Sequence, residues 1–172
     1  MTKLERLAGE AVDLATRAGL RIAVAESLTG GMLAAAIVSV PGASAVFSGG
    51  VVAYDTAVKG TLLGVDAELL RERGPVDQRV AEQMAFGVRR ACAVPSDEGS
   101  LAPAHLGVST TGVAGPSADP QTGQPPGTVW IGASSAEGEE SELHRFEGRR
   151  EEIRRRSVVA ALRVLIRRIE QV

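Results

Sequence analysis

The stretch RIAVAESLTGGMLAAAIVSVPG, residues 21–42, changes its apolar period in the middle. Arg21 to Ala25 reads as a short buried strand. Glu26-Ser27-Leu28-Thr29-Gly30-Gly31 breaks that run with polar and small residues. Met32, Leu33, Ala36, Ile37 and Val40 then return at helical spacing until Pro41-Gly42 stops them. Strand, glycine turn and helix make the βα unit of an α/β fold.

Working outward, Leu4, Leu7, Ala8, Ala11, Val12 and Ala15 predict a first helix closed by Gly19. Gly50 to Tyr54 predicts a second strand. Asp55 can cap a short helix that carries Val58, Lys59 and Leu62 and ends at Gly64. Asp66 and Asp77 can cap two more helices, near 67–73 and 78–92. Pro95 to His105 is rich in Pro, Ser, Gly and acid and reads as a surface loop. Leu106 to Thr111 predicts a strand, followed by a proline- and glycine-rich turn from Gly112 to Gly127. Residues 128–133 and 143–146 read as two hairpin strands joined through 136–139, and Arg150 to Ile169 reads as a closing helix. The expectation is one domain over 1–172, a three-layer α/β/α sandwich on a mixed, mostly parallel sheet.

Composition narrows the function classes. The chain has 172 residues, 44% hydrophobic but only 3% aromatic, so its core must be aliphatic and alanine-rich. The formal net charge of −2 gives no reason to expect a nucleic acid or an anionic membrane as partner. Nine arginines do fall between Arg145 and Arg168, but Glu147, Glu151 and Glu152 interleave with them and the helix has no aromatic for base stacking. Cys92 is the only cysteine, which excludes an intrachain disulfide, and His105 and His144 are isolated, so no metal site is expected. No apolar run suits a signal peptide or a bilayer span, and a cytoplasmic location is expected.

Ser27 stands where the first strand ends and a helix begins, the place where open α/β sheets bind ligands. The amides of Thr29, Gly30 and Gly31 at that helix start can meet an anion or a developing oxyanion. The alternative is that Ser27 or Thr29 merely caps the helix. A nucleophilic serine needs a base, and neither histidine is well placed. Lys59, the only lysine besides Lys3, sits among Ala57, Val58, Leu62 and Leu63, surroundings that can desolvate an amine. A solvated helix lysine has the same local sequence. Tyr54, the only tyrosine, can orient the nucleophile or pack at a strand end. Ser109, Thr111 and Gly112, in the strand and turn STTGVAGP at 109–116, offer hydroxyls and amides to a polar or phosphorylated ligand.

These pieces together resemble one family, the C-terminal domain of the CinA (competence/damage-inducible) proteins, including stand-alone nicotinamide-nucleotide amidohydrolases of the PncC type. The matching segments are AESLTGG at 25–31, GGVVAYDTAVKGTLLGV at 49–65, GPVDQRVAEQMAFGVR at 74–89, TGVAGP at 111–116, PPGTVWIG at 125–132 and FEGRREEIRRRSV at 146–158. They keep family order over most of the chain.

The resemblance implies a serine–lysine amidohydrolase. Ser27 would be the nucleophile, Lys59 its base, and Tyr54 the matching tyrosine, with Arg150 placed at the site. The implied reaction is hydrolysis of nicotinamide mononucleotide to nicotinate mononucleotide and ammonia, with no metal or organic cofactor. The implied assembly is a homodimer. A rival expectation is an interaction protein whose pocket has decayed. Three departures bear on the pocket. Ser117-Ala118-Asp119 stands where the family has an acid and two glycines, Gly148-Arg149-Arg150 replaces its G-D-R, and the loop from Pro95 to His105 is longer than usual.

Overall fold

The computed structural model describes residues 2–96 and 99–172. Helix α1 spans Lys3–Ala18, with Thr2 as N-cap, Glu5 completing a capping box and Gly19 left-handed at its end. Strand β1 is Ile22–Glu26, helix α2 Met32–Val38, strand β2 Phe47–Val52 and helix α3 Thr56–Leu63. Helices α4 (Ala67–Arg73) and α5 (Gln78–Ala91) follow, then the short strands β3 (Val94–Pro95) and β4 (Leu101–Ala102). Strands β5 (Leu106–Gly112), β6 (Thr128–Ser135) and β7 (Gly138–Arg145) lead to helix α6, Arg150–Gln171. As the sequence predicts, Asp55, Asp66 and Asp77 cap α3, α4 and α5 through their side chains.

Several boundaries differ from the sequence reading. Glu26 belongs to β1 because its carbonyl receives the amide of Ala53, which extends the ladder by one residue. β2 begins at Phe47 and leaves Tyr54 beyond its end, since its pairing with β1 starts at Ile22 and Phe47. The last hairpin turns over Ala136 and Glu137 alone, with Ser135 already opposite Gly138. The described part of the expected 95–105 loop holds the β3–β4 pair, and Asp97 and Glu98 lie outside the described residues.

The main sheet runs β2-β1-β5-β6-β7. β1 pairs parallel with β2 and β5, while β5–β6 and β6–β7 are antiparallel. Four strands therefore point one way and β6 against them. β1 is buried along its whole length, and its alternation feeds two cores. Ile22 and Val24 pack with α1, α2 and α6, and Ala23 and Ala25 pack with α3, α4 and α5. The result is a three-layer α/β/α sandwich.

α5 lies unusually close to the sheet. A Cβ at Gly107 or Gly132 would run into the carbonyl oxygens of Ala85 and Ala81, one turn apart on α5. Only glycine at these two sheet positions permits that approach. No helix among the described residues is long and apolar enough to cross a membrane.

Candidate active site

The carboxyl ends of β2, β1 and β5 come together at one edge of the fold. The amide of Ser27, the first residue past β1, donates to the Thr110 carbonyl at 2.9 Å, so the sheet itself sets the position of this serine. The chain then turns through Gly30 and Gly31, at φ of 58° and 94°, left-handed values that suit glycine.

The turn is held from two sides. The carboxylate of Glu26, 1% exposed, accepts the amides of Gly31 at 3.0 Å, Leu33 at 3.0 Å and Ala34 at 2.8 Å. A buried anion on the first amides of α2 satisfies donors that a short helix cannot pair internally. From the other side, Arg154 of α6 donates to the carbonyls of Leu28 at 2.9 Å and Thr29 at 3.0 Å. Glu26 thus does the capping that the alternative reading of the sequence assigns to a Ser27 or Thr29 hydroxyl. The Thr29 hydroxyl is buried against that of Thr110, 2.7 Å away. The Ser27 hydroxyl instead faces a cleft.

Lys59 reaches the same point from α3. Its Nζ lies 3.0 Å from Ser27 Oγ and 2.7 Å from the Ala53 carbonyl oxygen. It is the largest fully buried side chain in the protein's described part, at 1% exposure. Burial pushes its pKa down from 10.5 to about 8, a fall that the nearby Asp55 carboxylate partly opposes. A solvated helix lysine is therefore not what this fold contains.

The cleft in front of Ser27 encloses about 430 Å³, a size that accepts a mononucleotide. It brings together Ser27, Tyr54, Lys59, Thr111, Gly112 and Arg150. Arg150, on the first turn of α6, donates to the Gly115 carbonyl at 2.6 Å and to the Tyr54 hydroxyl at 2.7 Å. It thereby ties Tyr54, itself 60% exposed, to the turn after β5. The Thr111 hydroxyl donates to the Pro75 carbonyl at the cleft wall.

Four residues singled out from sequence stay off the cleft surface. Ser109 is buried under α5 with its hydroxyl on the Ala81 carbonyl at 2.6 Å. Thr29, Gly30 and Gly31 shape the turn from behind, and the Gly31 amide is committed to Glu26. Of the departures from the family pattern, Ser117 and Ala118 line the cleft, while Arg149 is exposed at the start of α6 and does not. Sequence reasoning missed Glu26 and Arg154. An acid at a buried strand end just before a helix was a readable signal for the first. The second stood one helical turn after Arg150 in an arginine-rich run, with nothing local to distinguish it. Among the described residues, no group of three or more His, Cys, Asp or Glu side chains is arranged to hold a metal ion.

The profile of the CinA C-terminal domain matches residues 4–169. A CinA-like protein of Frankia casuarinae is 44% identical over 165 residues, 96% of this chain and 35% of that protein. A putative competence-damage inducible protein of Bacillus velezensis is 40% identical over 153 residues, 89% of this chain and 34% of that protein. The chain thus spans about a third of the length of these curated relatives. The crystal structure of the competence/damage inducible protein CihA from Agrobacterium tumefaciens superposes with a TM-score of 0.86 at 32% identity, covering 97% of this chain and 96% of that one. Sequence match and shared fold both run over nearly the whole length, and the chain belongs to the CinA C-terminal domain family.

Proposed function

We propose that this domain hydrolyses the carboxamide of nicotinamide mononucleotide, releasing nicotinate mononucleotide and ammonia, with Ser27 as nucleophile and Lys59 as base. The observation that carries the reading is the 3.0 Å contact between a buried lysine amine and a serine hydroxyl that opens into a cleft. A neutral amine has two N–H groups and one lone pair. One N–H is taken by the Ala53 carbonyl, which orients the amine and leaves the lone pair for the proton of Ser27.

The Ser27 oxygen attacks the amide carbon as its proton passes to Lys59. The resulting oxyanion is met by the amides of Ala114 and Gly115 in the cleft wall, since those of Ser27, Gly31 and Val113 are already bound to Thr110, Glu26 and Thr128. The Lys59 ammonium returns a proton to the leaving nitrogen, and ammonia departs. Water, deprotonated by the regenerated amine, then cleaves the acyl-enzyme and restores Ser27. Arg150 keeps N–H groups beyond those on Gly115 and Tyr54, and these suit the substrate phosphate. The choice of substrate comes from the family resemblance, and the cleft's size and its arginine support it.

On this reading the chain also works as a homodimer, in line with the resemblance, and light scattering at micromolar concentration checks that part. The reaction is tested by incubating purified protein with nicotinamide mononucleotide and measuring ammonia and nicotinate mononucleotide. Release by the native protein that disappears in Ser27→Ala is the expected result. An inactive native protein, folded and at adequate concentration, would sink the proposal.

A further inference from the structure

A second groove lies away from the cleft, between the end of β7 and the outer face of α6, with Lys3 of α1 at its edge. It encloses about 450 Å³ and shares no lining residue with the catalytic cleft. Its charge is unlike that of the molecule as a whole. Lys3, Arg155, Arg156, Arg163 and Arg167 line it against a single acid, Glu142, in a chain of net charge −2.

Two of these cations are already engaged. Arg167 pairs with Glu140 at 3.1 Å and Glu142 at 2.7 Å, and Arg155 with Glu151 at 3.4 Å. Lys3, Arg156 and Arg163 have no ion-pair partner among the described residues. Cations that gather without an anion repel one another, and a bound anion relieves that repulsion. Arginine forks match phosphate oxygens especially well.

The groove also has apolar walls. Arg156 and Arg163 stand about two helical turns apart, roughly 10 Å along the axis. Val159 and the short Ala160 lie between them, so no long side chain fills that gap. On the facing wall, His144 and Phe146 are stacked, with ring centroids 5.2 Å apart and planes 11° from parallel. A flat ring entering the groove finds aromatic and aliphatic surface beside the phosphate-binding cations.

We infer that this groove is a second ligand site, one that takes a mononucleotide, a phosphate group joined to a flat heteroaromatic base. Lys3, Arg156 and Arg163 hold the phosphate, and His144, Phe146 and Val159 contact the ring. The site is independent of the Ser27–Lys59 chemistry, and it stands or falls without it.

The probe is adenosine monophosphate, with inorganic phosphate in parallel, titrated calorimetrically into the full chain. The variants are the double substitution Arg156→Gln/Arg163→Gln and, for the catalytic cleft, Arg150→Ala. Saturable binding of the nucleotide is expected, weakened at least about tenfold by the double substitution and retained in Arg150→Ala. Phosphate alone should bind more weakly than the nucleotide. The proposal is overturned if no binding occurs at millimolar nucleotide, or if adding the double substitution to Arg150→Ala leaves that variant's binding unchanged. It is equally overturned if Arg150→Ala alone abolishes binding, since the nucleotide then occupies the catalytic cleft. Phosphate binding as tightly as the nucleotide removes the ring from the site. A native dimer that the double substitution splits into monomers marks the groove as a contact between copies instead, which also overturns the proposal.

Discussion

Lys59 Nζ and Ser27 Oγ lie 3.0 Å apart although the two residues are 32 positions apart in the chain. The contact exists because β1 and β2 pair in parallel, so that the residues following each strand emerge at the same edge of the sheet.

If the amine works as a base, kcat must rise with pH as Lys59 loses its proton, with a midpoint near its pKa of about 8. Lys59→Arg keeps the charge but cannot deprotonate there. It should lose about 100-fold or more in kcat, as Ser27→Ala should. The double variant should be little worse than either, because the two groups act as a unit. Steady-state kinetics on the three variants decides this, and near-normal kcat in Lys59→Arg would remove the lysine from the dyad.

The same burial has a stability cost. The folded pKa of Lys59, about 8, lies below the value of 10.5 for the free side chain. Below pH 8 both states hold the proton and the penalty is fully present. Between pH 8 and 10.5 the unfolded chain holds more of it, so folded stability rises with pH. The difference corresponds to about 3 kcal/mol. Lys59→Met should lose this contribution to the slope, and urea unfolding of both proteins across that window is the measurement. Parallel stability curves for the two would contradict it.

Arg154 does not itself line the cleft, yet it holds the carbonyls of Leu28 and Thr29 just behind the nucleophile. Its loss should let the serine drift from its attack position. Arg154→Met is expected to lower kcat about 10- to 100-fold while KM changes little. Arg154→Lys should recover only part of this, because one ammonium cannot reproduce the fork on two carbonyls. An unchanged kcat in Arg154→Met, with circular dichroism showing a folded protein, would mean that Glu26 alone secures the turn.

Gly132→Ala tests the close seating of α5 on the sheet. The added methyl would meet the Ala81 carbonyl, so helix and strand must separate. A loss of about 1–3 kcal/mol is expected by denaturant titration. Gly9→Ala is a matched control, since nothing lies within 4 Å of a Cβ there. Equal stability in the two variants would show that α5 can shift without cost.

The sequence by itself determined the parts of this protein that depend on near neighbours in the chain. The change of apolar period around Ser27 specified the βα unit, and Asp55, Asp66 and Asp77 specified three helix starts, because a cap needs only the next two or three amides. The family motifs pointed to Ser27, Tyr54, Lys59 and Arg150, which the fold then gathered at one cleft. Only the tertiary structure decided how each group is used. Ser109 and Thr111 share one face of β5, but α5 covers the first, whose hydroxyl binds the Ala81 carbonyl, and stops short of the second, which stays on the cleft wall. Glu26, not a hydroxyl, caps α2, because the buried end of β1 aims its carboxylate at amides five to eight residues on. The depressed pKa of Lys59 likewise comes from the packing that excludes water around it. Desolvation is a property of the surrounding volume, and distant segments of the chain supply that volume.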